Sequence, residues 1–110
     1  MWIFTTKGFL SIVQHNSMPD YFQVKSRVSD PLEELWPDRE IQIIDWADYR
    51  FRVNVPKEDA LSVIIDLIGS IDYTNFKKEC VGLSEYHHSL GSVWRVMYQF
   101  QKRLEDSSEG

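Results

Sequence analysis

Residues 49–55 read Tyr-Arg-Phe-Arg-Val-Asn-Val, a strict apolar/polar alternation. Successive side chains of an extended chain point to opposite faces, so Tyr49, Phe51, Val53 and Val55 share one face and Arg50, Arg52 and Asn54 the other. Residues 21–28 repeat the pattern, with Phe22, Val24 and Val28 opposed to Tyr21, Gln23, Lys25 and Arg27. Strands with one apolar and one wet face belong in an antiparallel sheet that has its core on one side only. This requirement limits the fold more than any other feature of the chain.

The remaining segments supply the rest of such a sheet and the helices that cover it. Trp2–Thr6 and Phe9–His15 are rich in aromatic and β-branched residues and flank Lys7-Gly8, which predicts a hairpin with Thr6 opposite Phe9 and Phe4 opposite Ser11, or a bulge at Gly8 in one long strand. In the hairpin, Trp2, Phe4, Phe9 and Val13 share one face and Ile3, Leu10 and Ile12 the other. Ile41–Trp46 and Tyr49–Val55 form a second hairpin around Ala47-Asp48. Between the hairpins, Asp30 is placed to cap a short helix with Pro31 at its first position, Glu33 at capping-box spacing and Pro37 as its stop. Pro56 opens a longer helix with Ala60, Val63, Ile64, Leu67, Ile68 and Ile71 at helical spacing. A short helix or turn follows, capped by Asp72 and ended by Gly82. Ser84 then starts a final helix whose Leu90, Val93, Trp94, Met97, Phe100, Gln101 and Leu104 follow a near-heptad stripe.

The expected fold is a two-layer α+β domain over residues 1–104, an antiparallel sheet of about four strands with helices on one face, and residues 105–110 as a frayed tail. At 110 residues and 43% apolar, with four Trp, five Tyr and six Phe, the chain can build one core without staples. A single cysteine, Cys80, excludes an intramolecular disulfide and a zinc ribbon and fits a reducing compartment, so the cytoplasm is the expectation. The charge that follows Trp2-Ile3-Phe4, and Gly8 within the segment, exclude a secretory signal there. No run approaches the roughly 18 apolar residues of a membrane span, so the protein is expected to be soluble.

Three stretches carry a resemblance: Met-Trp-Ile-Phe-Thr-Thr-Lys-Gly-Phe at the start, Asp48–Arg52, and Ile71–Lys77 (Ile-Asp-Tyr-Thr-Asn-Phe-Lys). With them the chain resembles, along most of its length, a family of small bacterial proteins of unknown function that open with Met-Trp-x-x-Thr-Thr-x-Gly-Phe. The resemblance implies no activity, cofactor or catalytic residue.

The residues suggest several sites. Lys25, Arg27, Arg50 and Arg52 make a basic patch if their strands are neighbours, with Tyr21 and Tyr49 flanking it, and cations beside aromatics suit phosphates or stacked bases. Against this, the net charge is −5, which disfavours nucleic acid and anionic lipid, and nearby Asp and Glu can balance ordinary surface cations. Asp72, Tyr73, Asn75 and Lys77 form a compact polar and aromatic loop suited either to a ligand or partner, or to capping and packing. The final helix carries Tyr86, Trp94, Tyr98 and Phe100, more aromatics than one narrow seam needs, and the N-terminal ribbon is apolar on both faces, so Trp94 and Tyr98, with Trp2 and Phe4, suit a partner protein or a second copy. Adjacent His87 and His88 diverge by about 100° on a helix, so a shared metal is not expected. Nothing near Cys80 is built to lower its pKa, and His15 reads as structural.

No nucleotide-binding glycine loop, Gly-x-Ser-x-Gly elbow or His-Glu-x-x-His motif is present. The leading expectation is therefore a cofactor-free, non-enzymatic protein-interaction module. Anion or nucleic-acid binding on the basic sheet face is the alternative, followed by a small hydrolase or transferase centred on Asp72, His87 or His88.

Overall fold

The computed structural model describes residues 1–109, and two helices cover one face of an antiparallel sheet in it. The strands are β1 (Trp2–Thr5), β2 (Gly8–Gln14), β3 (Tyr21–Ser26), β4 (Gln42–Ile43) and β5 (Phe51–Pro56), in spatial order β1-β2-β3-β5-β4. Helix α1 (Asp30–Leu35) lies between β3 and β4, and α2 (Lys57–Gly69) follows β5. These elements make up a compact unit that ends at Asp72; a second unit, from Tyr73 on, holds α3 (Phe76–Glu79) and α4 (Ser84–Glu109).

Alternation in β2, β3 and β5 builds the core. Leu10, Val24, Val53 and Val55 are fully buried on the inner face, where Leu32 and Trp36 from the α1 region and Ala60 of α2 join them. Ile12, Phe22, Phe51 and Val63 close its margin. Burying each large aliphatic side chain contributes about 1.5–3 kcal/mol, so this cluster is the main source of stability in the first unit.

The sheet has five strands rather than four, because Gln42 and Ile43 pair with Arg52 and Phe51 as a short edge strand. The strand expected over 41–46 stops there: Ile44 N–H donates to the Arg50 carbonyl at 2.8 Å and Ala47 N–H to the Ile44 carbonyl at 3.1 Å, which turns the chain. The first hairpin also turns one residue earlier than Lys7-Gly8 suggests, pairing Phe4 with Phe9 and Thr5 with Gly8. Thr5 causes this shift. Its Oγ1 accepts from Lys7 N–H at 3.0 Å and Gly8 N–H at 3.1 Å and donates to the Gly8 carbonyl at 2.8 Å, closing a turn centred on Thr6 and Lys7. Each strand slips so that facing parity is kept, and Trp2, Phe4, Phe9 and Val13 still share a face.

Gly8 is required twice. Its φ is +143°, and a Cβ there would lie 2.9 Å from Pro31 Cγ, inside van der Waals contact with the start of α1. The absence of a side chain thus lets α1 settle on the β1–β2 turn.

The helix ends differ in detail from the spacing-based expectations. Ser29, not Asp30, is the N-cap of α1, without a side-chain cap bond, and Asp30 is already helical. Asn75 caps α3 instead of Asp72, accepting from Lys78 N–H at 3.0 Å. In α2 only Ala60 is fully buried; Ile68 and Ile71 of the expected core stripe are exposed, as are Leu61 and Ile65. Helix α4 starts at Ser84 as expected and continues through Glu109, over most of the tail that composition reads as frayed.

Candidate functional site on the open sheet face

The face of the sheet opposite α1 and α2 is assembled from residues of alternate parity, and cross-strand register arranges them in rows. One row runs Trp2, Ser11, Lys25, Arg52, Gln42 across all five strands, each residue the direct partner of the next. At about 4.8 Å per strand, Trp2 and Arg52 are about 14 Å apart along it. Beside it lies Val13, Gln23, Asn54. On the other side Phe4 faces Phe9.

The aromatic end is exposed and internally packed. Trp2 is 69% and Phe4 37% exposed. Phe9 holds them in place, edge-to-face with Trp2 at 5.7 Å and tilted against Phe4 at 4.7 Å, and it continues to buried Tyr49 at 6.4 Å.

The cationic end consists of Lys25 directly opposite Arg52. Like charges in this position cost up to about 1 kcal/mol. Arg52 is anchored, donating from Nε to the Tyr49 carbonyl at 3.3 Å and from Nη1 to Gln23 Oε1 at 3.4 Å; the Lys25 ammonium makes no hydrogen bond or ion pair among the described residues. Gln23 Nε2 in turn donates to Asn54 Oδ1 at 3.4 Å. Arginine has only donors, so Gln23 must turn its oxygen to Arg52 and its amide nitrogen to Asn54. Asn54 is then left with its Nδ2 donors directed away from the chain of bonds.

The structure therefore divides the expected basic patch. Lys25 and Arg52 meet. Arg27 sits over Tyr49, 4.4 Å from the ring centroid, and donates to the Asp48 carbonyl at 3.1 Å, at the aromatic end of the same face. Arg50 is neutralised by Asp45 at 2.8 Å and stacks over Phe51. None of the strand positions on the open face is Asp or Glu, although the chain carries 17 acidic residues. The amides Gln23 and Asn54 were not singled out from sequence, and their shared parity with Lys25 and Arg52 was the signal available.

The other candidates fall elsewhere. Asp72 ends the first unit. In the second, Tyr73 packs on Phe76 at 6.0 Å, Asn75 serves as the α3 cap, and Lys77 sits 4.8 Å over the Trp94 ring. Trp94 and Tyr98 stack in parallel at 5.3 Å along α4. Cys80 is buried, and burial, followed by the Glu79 carboxylate, pushes its thiol pKa up. His15 Nδ1 accepts from Ser17 and Met18 N–H, both at 3.1 Å, which places its proton on Nε2 and locks the β2–β3 turn. Among the described residues no three His, Cys, Asp or Glu side chains converge as metal ligands, and no helix is long and apolar enough to cross a membrane.

No protein-family model matches the chain, and no curated protein or solved structure matches it at a significant level.

Proposed function

We propose that this chain is a non-enzymatic interaction domain that recognises an anionic partner on the open face of its sheet. The observation that carries the reading is the Lys25–Arg52 pair: two like charges held directly opposite each other, on strands whose open-face positions include no carboxylate, in a chain of net charge −5. A fold retains a repulsive pair at some cost in stability, and an anion bound across it offsets that cost. Exposed Trp2 and Phe4 beside the pair add apolar area, as an interaction surface requires.

Amide-shift mapping against short anionic polymers tests the reading. Shifts should concentrate on β1, β2, β3 and β5 at open-face positions and vanish in the Lys25→Glu/Arg52→Glu double variant. Shifts scattered over α1 and α2, or unchanged in that variant, would refute it.

A second surface is supported by α4, where Met97, Phe100 and Leu104 continue the heptad spacing of Tyr86, Leu90 and Val93 while remaining exposed. This is the pattern of a helix that meets another helix. If α4 pairs in this way, Met97→Glu/Leu104→Glu lowers the mass measured by light scattering in solution; an unchanged mass counts against it.

A further inference from the structure

We infer that the anionic partner is a single-stranded nucleic acid, with unpaired bases stacked on Trp2 and Phe4 and backbone phosphates held by Lys25 and Arg52. The inference rests on the open-face reading above and goes beyond it in naming the ligand. An acidic peptide satisfies the two cations equally well but presents nothing flat and regular to the aromatic end. A single strand offers both: every base has a π-face, and every nucleotide brings a phosphate. The alternation of partner chemistry matches the order along the row, from aromatic Trp2 through small, buried Ser11 to Lys25 and Arg52. Ser11 makes a low point between ring and cation.

The remaining groups fit the same ligand. Arg52 is held by the Tyr49 carbonyl and the Gln23 amide, so its Nη2 donors are pre-oriented and little side-chain freedom is lost on binding. Asn54, at the end of the Arg52–Gln23–Asn54 chain, is left with donors, which suits carbonyl oxygens on base edges. Across about 14 Å the face accommodates two or three nucleotides, as other aromatic sheet platforms do. A duplex, with its bases stacked on one another, cannot engage Trp2.

The test uses the full chain and fluorescence anisotropy with a labelled eight-nucleotide single strand, the same sequence as duplex, and a labelled octa-glutamate peptide, from low salt to 0.3 M. The single strand should bind, and the duplex should bind more weakly. Trp2→Ala should weaken single-strand binding about 10-fold. With two phosphates engaged, log affinity should fall with log salt at a slope of about −1.4, and Lys25→Gln/Arg52→Gln should flatten it. Lys57→Gln removes a charge from the covered side, where Lys57 lies over Phe22, and should leave the slope unchanged. Lys25→Gln alone relieves the like-charge contact, so it should weaken binding without lowering the melting temperature, which separates lost binding from lost folding. Several results would overturn the inference: duplex binding as tight as single-strand binding, an inert Trp2→Ala, or a salt slope that Lys57→Gln alters as much as the double variant does. Peptide binding that needs Lys25 and Arg52, with no oligonucleotide binding, overturns the nucleic-acid inference and leaves the open-face reading standing. Binding of neither probe overturns both.

Discussion

Replacing Gly8 with alanine should be among the most damaging single-methyl additions in the first unit. Two terms contribute, and both are read from position 8. The backbone term arises because φ is +143°, where an L-residue is strained by about 1–3 kcal/mol. The packing term arises because the new Cβ would lie 2.9 Å from Pro31 Cγ and 3.1 Å from Pro31 Cβ, and Pro31 is itself fully buried at the start of α1. Forced overpacking of this kind costs about 1–3 kcal/mol. The combined loss of about 2–6 kcal/mol compares with a total stability of about 4–11 kcal/mol for a unit of this size at 0.05–0.15 kcal/mol per residue. In urea, with m near 1 kcal/mol/M, the midpoint should fall by about 2 M or more. Pro31→Ala in the Gly8→Ala background removes the ring contact at 2.9 Å and leaves the Pro31 Cβ position at 3.1 Å. The double-mutant cycle should therefore return part of the steric term, a coupling of about 1 kcal/mol, while the rest of that term and the backbone term persist. A Gly8→Ala midpoint within about 0.5 M of the parent would refute the reasoning, and a coupling near zero would refute the Pro31 contact as its cause.

Trp36 is buried, and its indole Nε1–H has no hydrogen-bond partner among the described residues. A stranded donor costs about 1–3 kcal/mol, so Trp36→Phe, which removes it, should lie within about 1 kcal/mol of the parent while Trp36→Ala loses about 3–5 kcal/mol; equal melting-temperature losses would contradict this. For Cys80, the raised native pKa means the unfolded chain gives up the thiol proton first, so its contribution to stability is full below the unfolded value of about 8.5 and is lost as pH rises through the native pKa. The ultraviolet thiolate absorbance of the native protein should therefore rise at higher pH than that of the urea-unfolded chain, and coincident curves would be inconsistent with it. Asn75→Ala removes the side-chain acceptor of Lys78 N–H, at a local cost of about 0.5–2 kcal/mol, and should speed labelling of Cys80 at the other end of α3.

Alternation made the two faces of the sheet legible at residues 21–28 and 49–55, because strand parity needs no long-range information. The rows across the face were not legible. They depend on register, and register in the first hairpin turns on one hydroxyl, Thr5 Oγ1, whose three bonds move the turn away from the Lys-Gly pair that composition favours. The division of the basic patch was hidden for the same reason: Arg50 and Arg52 share parity in sequence, yet only Arg50 lies within reach of Asp45, because the chain folds back at Ile44. Helical spacing marked the apolar positions of α2 and α4 but not which of them are covered, since periodicity identifies a stripe and leaves its neighbour open. The caps fall at Ser29 and Asn75, one and three residues from Asp30 and Asp72, because several residues able to cap crowd together at both helix starts.

The row from Trp2 to Gln42 has a consequence for how such a surface can be inherited or transplanted. Its five members come from five strands, and the longest gap between spatial neighbours, Lys25 to Arg52, spans α1, β4 and the turn into β5. No peptide shorter than the stretch from Trp2 to Arg52 holds the whole row; a fragment ending at Val28 holds Trp2, Ser11 and Lys25 but not Arg52. Whatever occupies the row therefore reports on the assembled sheet as a whole, and its occupancy is thermodynamically tied to the strand pairing of β3 with β5.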